Sequence, residues 1–455
     1  MAETARRPGL RGLAGWVLYD WAAQPFYTQI TVFVFAPYFA TRLAATPVQG
    51  QAFWGYATAA AGLVIALLSP VLGAIADAAG RRKPWIFFFS IFFVLACWSL
   101  WYAAPGAERA VAIALAAFAL GTICIEFATV FTNAMMPGLV SSEKLGRLSG
   151  IGWATGYVGG LISLVVALGL FATNPATGKT LFGLTPLFGL DPATFEGDRA
   201  SGPLTAIWYV IFVLPLFLFT PDAAKKMNIG PAVRTGLRET LSTVRGLRSH
   251  GEVGRFLVAN LVYTDGLVAL FAFGGIYAAS VFGWGSIELG LFGMLLTVTG
   301  TIGALVGGWL DDRLGPKPVI AVSLVLMIIA CIGIVSTDGT HLLFVVQVVP
   351  PVEGDGLFVA VGEKWYLLLG GLIGAVAGPL QAASRTLMAR ITPREKMTHF
   401  FGLYALSGKV TSFIGPLVVG ILTQVSQSQR IGFSVIIVFF IVGAVLLSRV
   451  SPPQR

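Results

Sequence analysis

Gly73-Ala-Ile-Ala-Asp77-Ala-Ala-Gly80-Arg81-Arg82-Lys83 lies between two long apolar stretches, and Gly308-Trp-Leu-Asp-Asp312-Arg313-Leu-Gly315-Pro-Lys317 lies between two others. Both read G-x-x-x-D-x-x-G followed by basic residues. In each, glycine removes side-chain bulk where the chain leaves one apolar segment for the next. The aspartate can accept from backbone amides at a neighbouring helix N-terminus, where an anion gains ~0.3–1 kcal/mol. The basic residues remain at the surface. Such a loop can lock one conformation and release in another; alternatively, its basic residues only set topology and touch anionic lipid. A single copy would mean little. Two copies at matching points imply that two halves of the chain share one plan.

The surroundings of the loops give the fold class. Apolar residues make up 56% of the 455 and charged residues 11%, so stretches of roughly 20 apolar residues, enough to span a bilayer, recur. Twelve spans are expected, near 13–41, 52–76, 85–104, 109–139, 146–172 and 203–220, then 254–282, 287–310, 318–336, 364–389, 398–424 and 431–449. Their runs lack the alternation of a β-barrel, and only helices otherwise satisfy backbone groups in lipid. The expected fold is an all-α membrane protein with twelve transmembrane helices in two six-helix bundles. Residues 1–220 form the first bundle and 254–455 the second. The polar, basic stretch 221–253 joins them as a cytoplasmic linker, with a surface helix around 236–248.

The net charge of +9 raises the question of nucleic acid. Its distribution answers it: with a cytoplasmic N-terminus, 22 of the 30 Lys and Arg residues fall on the cytoplasmic side and six on the other. That is the positive-inside bias, so the charge records orientation, both termini are placed in the cytoplasm, and no nucleic-acid partner is expected. Cys97, Cys124 and Cys331 fall in apolar runs as small hydrophobes, without disulfide or metal spacing. No cleavable signal peptide is read at the N-terminus. The long outer loops are 173–202 and 337–363, and the apolar stretch 343–352 in the second suggests a strand or hairpin. Gly152/Gly156/Gly160 and Gly370/Gly374/Gly378 are spaced for close helix approach, as static packing or as a sliding surface.

The paired loops resemble the signature loop of the major facilitator superfamily. Further stretches narrow the likeness: Trp16-Val-Leu-Tyr19-Asp20-Trp21-Ala, Phe131-Thr-Asn133-Ala-Met-Met-Pro137, Leu148-Ser-Gly150-Ile-Gly152-Trp153-Ala-Thr-Gly156-Tyr157-Val-Gly-Gly160, and Phe400-Phe-Gly402-Leu-Tyr404-Ala-Leu-Ser-Gly408-Lys409-Val-Thr-Ser412-Phe-Ile-Gly415-Pro416. These resemble the vacuole-effluxer-like branch, named for a fungal autophagy-related amino-acid exporter. Gly80-Arg-Arg-Lys-Pro84-Trp85-Ile is also similar to the glycoside–pentoside–hexuronide:cation symporters.

Asp20, Glu126, Asp265, Arg385 and Lys409 are ionisable residues within expected spans. A charge at mid-bilayer costs at least ~2.5–3.5 kcal/mol, so it normally faces the interior with a partner or a task. The resemblance implies a cavity lined by helices 1, 4, 7 and 10, placing Asp20, Glu126 and Asp265 near the pathway as candidates for proton coupling; fixed structural pairing is the competing reading. Lys409 is read near the midplane, pairing with an acid or holding a substrate carboxylate or phosphate. Arg385 is read as snorkelling or pairing at a gate. Gln24, Tyr27, Asn133, Trp153, Tyr157, Gln381 and Tyr404 are uncharged candidates for the cavity wall. Asp77, Arg81, Arg82, Asp312 and Arg313 are the gating set.

His250, His341 and His399 fall in loops or at span ends, and no nucleophile elbow, metal spacing or phosphate loop is present. No enzyme activity and no cofactor are expected. The expected function is secondary transport by alternating access, coupled to protons, in a bacterial-type cytoplasmic membrane. The resemblance implies a monomer and a small polar solute, with amino acids or small peptides first. Two other readings stay open: a sugar:cation symporter, and a lipid-handling or transport-inactive sensor protein.

Overall fold

The computed structural model describes residues 9–45, 47–173, 178–228, 230–234, 251–284, 286–349, 357–409 and 411–451. The expected surface helix around 236–248 lies outside them. In the first half, α1 is Leu10–Pro25, α2 Phe35–Tyr38, α3 Pro47–Ala79, α4 Lys83–Ser99, α5 Ala110–Leu139, α6 Leu145–Leu170, α7 Glu196–Arg199 and α8 Ser201–Phe219. In the second, α9 is Gly251–Phe282, α10 Ser286–Leu314, α11 Pro316–Val335, α12 Val361–Ile391, α13 Met397–Lys409, α14 Ile414–Ser426 and α15 Gln429–Ser448. Among the described residues, ten helices are long and apolar enough to cross a membrane.

The two remaining expected spans are not continuous α-helices. Over 13–41, α1 ends at Pro25 and passes into a π-helix, Phe26–Phe33; the short α2 and a second π-helix, Phe39–Leu43, follow. Pro25 has no N–H to give to the Trp21 carbonyl four residues back. The Trp208 indole N–H takes that place at 3.1 Å, and the two indoles stack with centroids 5.7 Å apart. Over 398–424, the chain breaks between α13 and α14. Gly408 weakens the end of α13, and Pro416 tolerates only the first turn of the next helix.

The chain divides into two compact units. Unit 1 holds residues 1–141, 155–241 and 394–406; unit 2 holds 142–154, 242–393 and 407–455. Each unit therefore carries one short segment from the opposite half of the sequence. Within unit 1, α1 packs on α8, α4 on α5, α3 on α5 and α4 on α8. Within unit 2, α9 packs on α15, α11 on α12, α10 on α12 and α11 on α15. The four pairings match one for one, so the halves share a fold as well as a motif.

Small residues also set the approach of α6 to α1, since lipid supplies no hydrophobic drive between helices. A Cβ on Gly159 would come 2.8 Å from the Trp21 ring, and one on Gly160 2.7 Å from Gln24 Cγ.

The second long loop carries a hairpin, His341–Leu342 pairing antiparallel to Val346–Gln347, which begins before the expected stretch 343–352 and overlaps it in its turn and second strand; residues 350–352 lie outside those described. Asp338 anchors it, accepting from Thr340 N at 2.8 Å, Thr340 Oγ1 at 2.9 Å, His341 N at 2.7 Å and Arg430 at 2.9 Å. Burial pushes its carboxyl up, yet these donors together hold it well below the usual carboxylate range.

Candidate functional site

Turn glycines open each signature loop. Gly80 has φ 93° and Gly315 φ 91°, values that favour a residue without Cβ. Asp77, one turn before Gly80, is buried in unit 1. Its carboxylate accepts from His399 N at 2.8 Å and pairs with Arg82 at 3.1 Å. Arg82 Nε donates to Thr398 Oγ1 at 3.0 Å, and His399 Nδ1 lies 2.9 Å from the Pro70 carbonyl. Glycines on both sides let the backbones touch: a Cβ on Gly73 would meet His399 Cα at 2.8 Å, and one on Gly402 would meet Pro70 Cα at 3.0 Å. Together these interactions form a brace between the end of α3 and the first turn of α13.

Unit 2 holds its counterpart, between the end of α10 and the first turn of α6. Asp312 accepts from Arg147 N at 3.1 Å and lies 3.5 Å from Arg147 Nε. Asp311 is buried and forms an ion pair with Arg390 at 3.1 Å. A Cβ on Gly308 would meet the Gly146 carbonyl at 2.7 Å and Gly150 Cα at 3.1 Å. Arg313 is exposed, with its guanidinium 3.8 Å from the Trp309 ring centre. Arg81 is likewise exposed, and stands at the tip of the first loop.

Arg385 does not snorkel. It is buried; its Nε donates to Ser149 Oγ at 2.8 Å and Nη2 to the Ser149 carbonyl at 2.6 Å. Its guanidinium stands 5.9 Å from the Trp153 ring centre, within cation–π reach. The structure thus seats Arg385 on the first turns of α6, the segment that also carries the Asp312 brace.

Asp20, Gln24 and Tyr27 follow one another at i, i+4 and i+7, on one side of α1 and its π-helical continuation. All three are half-buried, as is Glu126 on α5. Tyr27 OH donates to Glu126 Oε1 at 3.3 Å, and Asp20 lies within electrostatic reach of Tyr27. The flanks are fastened by Trp16 Nε1 to the Thr132 carbonyl at 2.8 Å and by Tyr19 OH to Thr129 Oγ1 at 3.1 Å. Asn133 is buried one turn beyond Thr129.

Asp265 follows a tyrosine closely, as Asp20 does (Tyr263-Thr-Asp265, Tyr19-Asp20), yet it occupies a different place. The tyrosine contact does repeat: Tyr263 OH meets Ser384 Oγ at 2.7 Å, as Tyr19 meets Thr129. But Asp20 follows its tyrosine by one residue and Asp265 by two, and 100° of helix separates those positions. Asp265 is buried, with Gly415 of α14 against its carbonyl and Thr411 near its carboxyl. It packs at the break between α13 and α14. Gln381 Nε2 donates to the Ala377 carbonyl at 3.3 Å on its own helix. Lys409 is the last residue of α13; its side chain lies outside the described residues.

Three contributors leave no mark in the loop motif. Asp222 accepts from the amides of Arg82 at 2.9 Å and Lys83 at 3.0 Å, capping α4 from a distance. Ser149 receives Arg385. His399 supplies the amide for Asp77. A second internal repeat would have pointed to the brace partners: Glu143-Lys144-Leu145-Gly146-Arg147 and Glu395-Lys396-Met397-Thr398-His399 begin α6 and α13 alike.

Known proteins place this geometry in a family. The chain is 24% identical over 436 residues, 95% of its length and 93% of the other's, to the Bacillus subtilis strain 168 protein named uncharacterized MFS-type transporter YxiO. It is 24% identical over 322 residues, 65% of its length, to autophagy-related protein 22 of Yarrowia lipolytica, and spans 48% of that protein. Among solved structures, the human organic anion transporter MFSD10 superposes with TM-score 0.70 at 14% identity, covering 96% of this chain and 99% of that one. The proton:xylose symporter XylE gives TM-score 0.67 at 12% identity, covering 98% and 95%. Residues 38–454 match the model of the family described as vacuole effluxer Atg22 like, and the chain belongs to that branch of the major facilitator superfamily.

Proposed function

We propose that the protein is a secondary active transporter that moves a small polar solute, an amino acid or small peptide, across a bacterial-type cytoplasmic membrane by alternating access coupled to protons. The observation that carries this reading is the Asp20–Gln24–Tyr27–Glu126 group, in which the Tyr27 phenol donates to the Glu126 carboxylate and lies within electrostatic reach of Asp20. A carboxylate in such a setting changes its proton affinity when its solvation or its partner changes, which coupling requires. Asp77 and Asp312, each bound to backbone amides at the start of another helix, are the contacts that would form and break in each cycle. Asp265, at the helix break, is a second candidate carrier of the proton. The protein works as a monomer in this reading.

The test is transport in proteoliposomes. Under an imposed proton gradient, an amino-acid and dipeptide panel should yield accumulation of at least one solute. Glu126→Gln should abolish accumulation while leaving solute exchange without a gradient intact. Accumulation unchanged in Glu126→Gln, Asp20→Asn and Asp265→Asn would refute coupling through these residues. Sodium-dependent uptake of a sugar, with no amino-acid uptake, would establish the sugar:cation reading instead.

A further inference from the structure

Between Lys179 and Asp191 the chain reads Thr-Leu-Phe-Gly-Leu-Thr-Pro-Leu-Phe-Gly-Leu, with no charged residue and the tetrad Leu-Phe-Gly-Leu twice. A soluble loop of this composition would fold its side chains inward. Here Leu181, Phe182, Leu184, Leu187 and Phe188 all face outward, and Phe188 is 88% exposed. The backbone is nevertheless fixed. Leu181 N donates to the Leu168 carbonyl at 2.9 Å, Thr180 N to the Leu184 carbonyl at 2.9 Å, and Gly183 N to the Thr180 carbonyl at 2.8 Å. The Phe182 ring rests directly on Gly169. The apolar side chains are thus left largely exposed on a fixed backbone.

Beneath Phe188 lies a cleft of about 450 Å³ between the end of α4 and the start of α8. Trp98, Trp101, Tyr102, Leu190 and Leu204 are among its walls, and none of the residues lining it is charged. The exposed Trp98, Tyr102 and Ile207 continue its rim onto the faces of two spanning helices. The patch is therefore continuous with the exposed faces of two helices long and apolar enough to cross a membrane. A large contiguous apolar patch marks an interface, and indole and phenol rings favour the boundary between headgroups and acyl chains.

We propose that residues 180–190 seat in that boundary, in the leaflet remote from the Gly80 turn, and that the cleft under Phe188 holds one acyl chain of a phospholipid. This assignment is independent of the transported solute. A mostly apolar, uncharged wall suits a hydrocarbon chain, and the aromatic rim suits the glycerol region above it.

The test uses the full chain in phosphatidylcholine–phosphatidylglycerol liposomes. Phe188→Cys and, as a control on the same loop, Thr194→Cys are labelled with a fluorophore sensitive to polarity. Cys97, Cys124 and Cys331 are buried, and unsubstituted protein gives the background. The label at 188 should be quenched by lipids spin-labelled near the headgroup, and iodide should quench it roughly fivefold less than at 194, as for residues sunk below the headgroups. Equal iodide quenching at the two positions overturns the seating. For the cleft, native mass spectrometry should find one phospholipid retained on the unsubstituted protein and lost from Leu204→Trp, which fills the space. Ile207→Trp, at an exposed position, repeats the test should Leu204→Trp not fold. Undiminished lipid retention in the folded filler variant overturns the cleft assignment, as does shielding of position 188 that tracks protein concentration, which would mean a second copy covers the patch.

Discussion

Asp77→Asn isolates one brace. The carboxylate accepts from the His399 amide at 2.8 Å and from Arg82 at 3.1 Å, inside packed helices. Hydrogen bonds to a charged group contribute about 1.5–3 kcal/mol each, against about 0.5–1.5 for neutral ones. The amide retains one neutral acceptor for the His399 N–H and loses the attraction for Arg82. The net loss is about 2 kcal/mol, equivalent to a ~30-fold rise in the opening equilibrium of the first turn of α13. Hydrogen-exchange mass spectrometry in detergent at neutral pH reads this directly, on peptides covering 394–402 and 143–150. Asp77→Asn should speed exchange in 394–402 and leave 143–150 unchanged. Asp312→Asn should do the reverse, because its partner is the Arg147 amide. Unaltered exchange across 394–402 in Asp77→Asn refutes the brace, and equal loosening of both segments by either substitution refutes two independent ones.

Two further outcomes follow from local geometry. Trp208→Phe keeps a ring against Trp21 but removes the donor to its carbonyl, so thermal unfolding in micelles should show a loss of about 1–2 kcal/mol; an unchanged midpoint would mean the π-helical segment needs no outside donor. The Asp338 carboxyl is held below its unfolded value, so the hairpin's stability is fully present above about pH 4 and is lost as pH falls through the lower folded value. Exchange at the Thr340 and His341 amides, corrected for intrinsic rate, should therefore stay flat from pH 8 to 5 and rise only in stronger acid; a rise near pH 6 would contradict it.

The loops are legible in the sequence because chemistry constrains them locally. A reversal like that at Gly80 requires a residue tolerant of positive φ, and a buried aspartate one turn earlier requires donors, so the motif carries its own explanation. Its partners are not legible, since Asp222 and His399 reach the loop from 140 and 322 residues away. Hydropathy runs unbroken through 13–41 and 398–424 because the breaks are made at Pro25 and by Gly408 with Pro416, residues that interrupt a helix without adding charge. The offset between Asp20 and Asp265 is visible as Tyr-Asp against Tyr-Thr-Asp. Its meaning emerges only from the helices, where the one-residue shift moves a carboxylate from a half-buried stripe to a packed helix break.

The distance between Asp77 and its amide donor has a consequence for biogenesis. With His399 322 positions further along the chain, and translation at ~5–20 residues per second, Asp77 waits on the order of 15–60 s in the nascent chain before His399 is made. Arg82, five residues away, is the ion-pair partner born with it. The first half therefore enters the bilayer with its acid neutralised by a neighbour and its latch unmade, and the last third of the polypeptide must arrive before the ribosome's earliest product is finished.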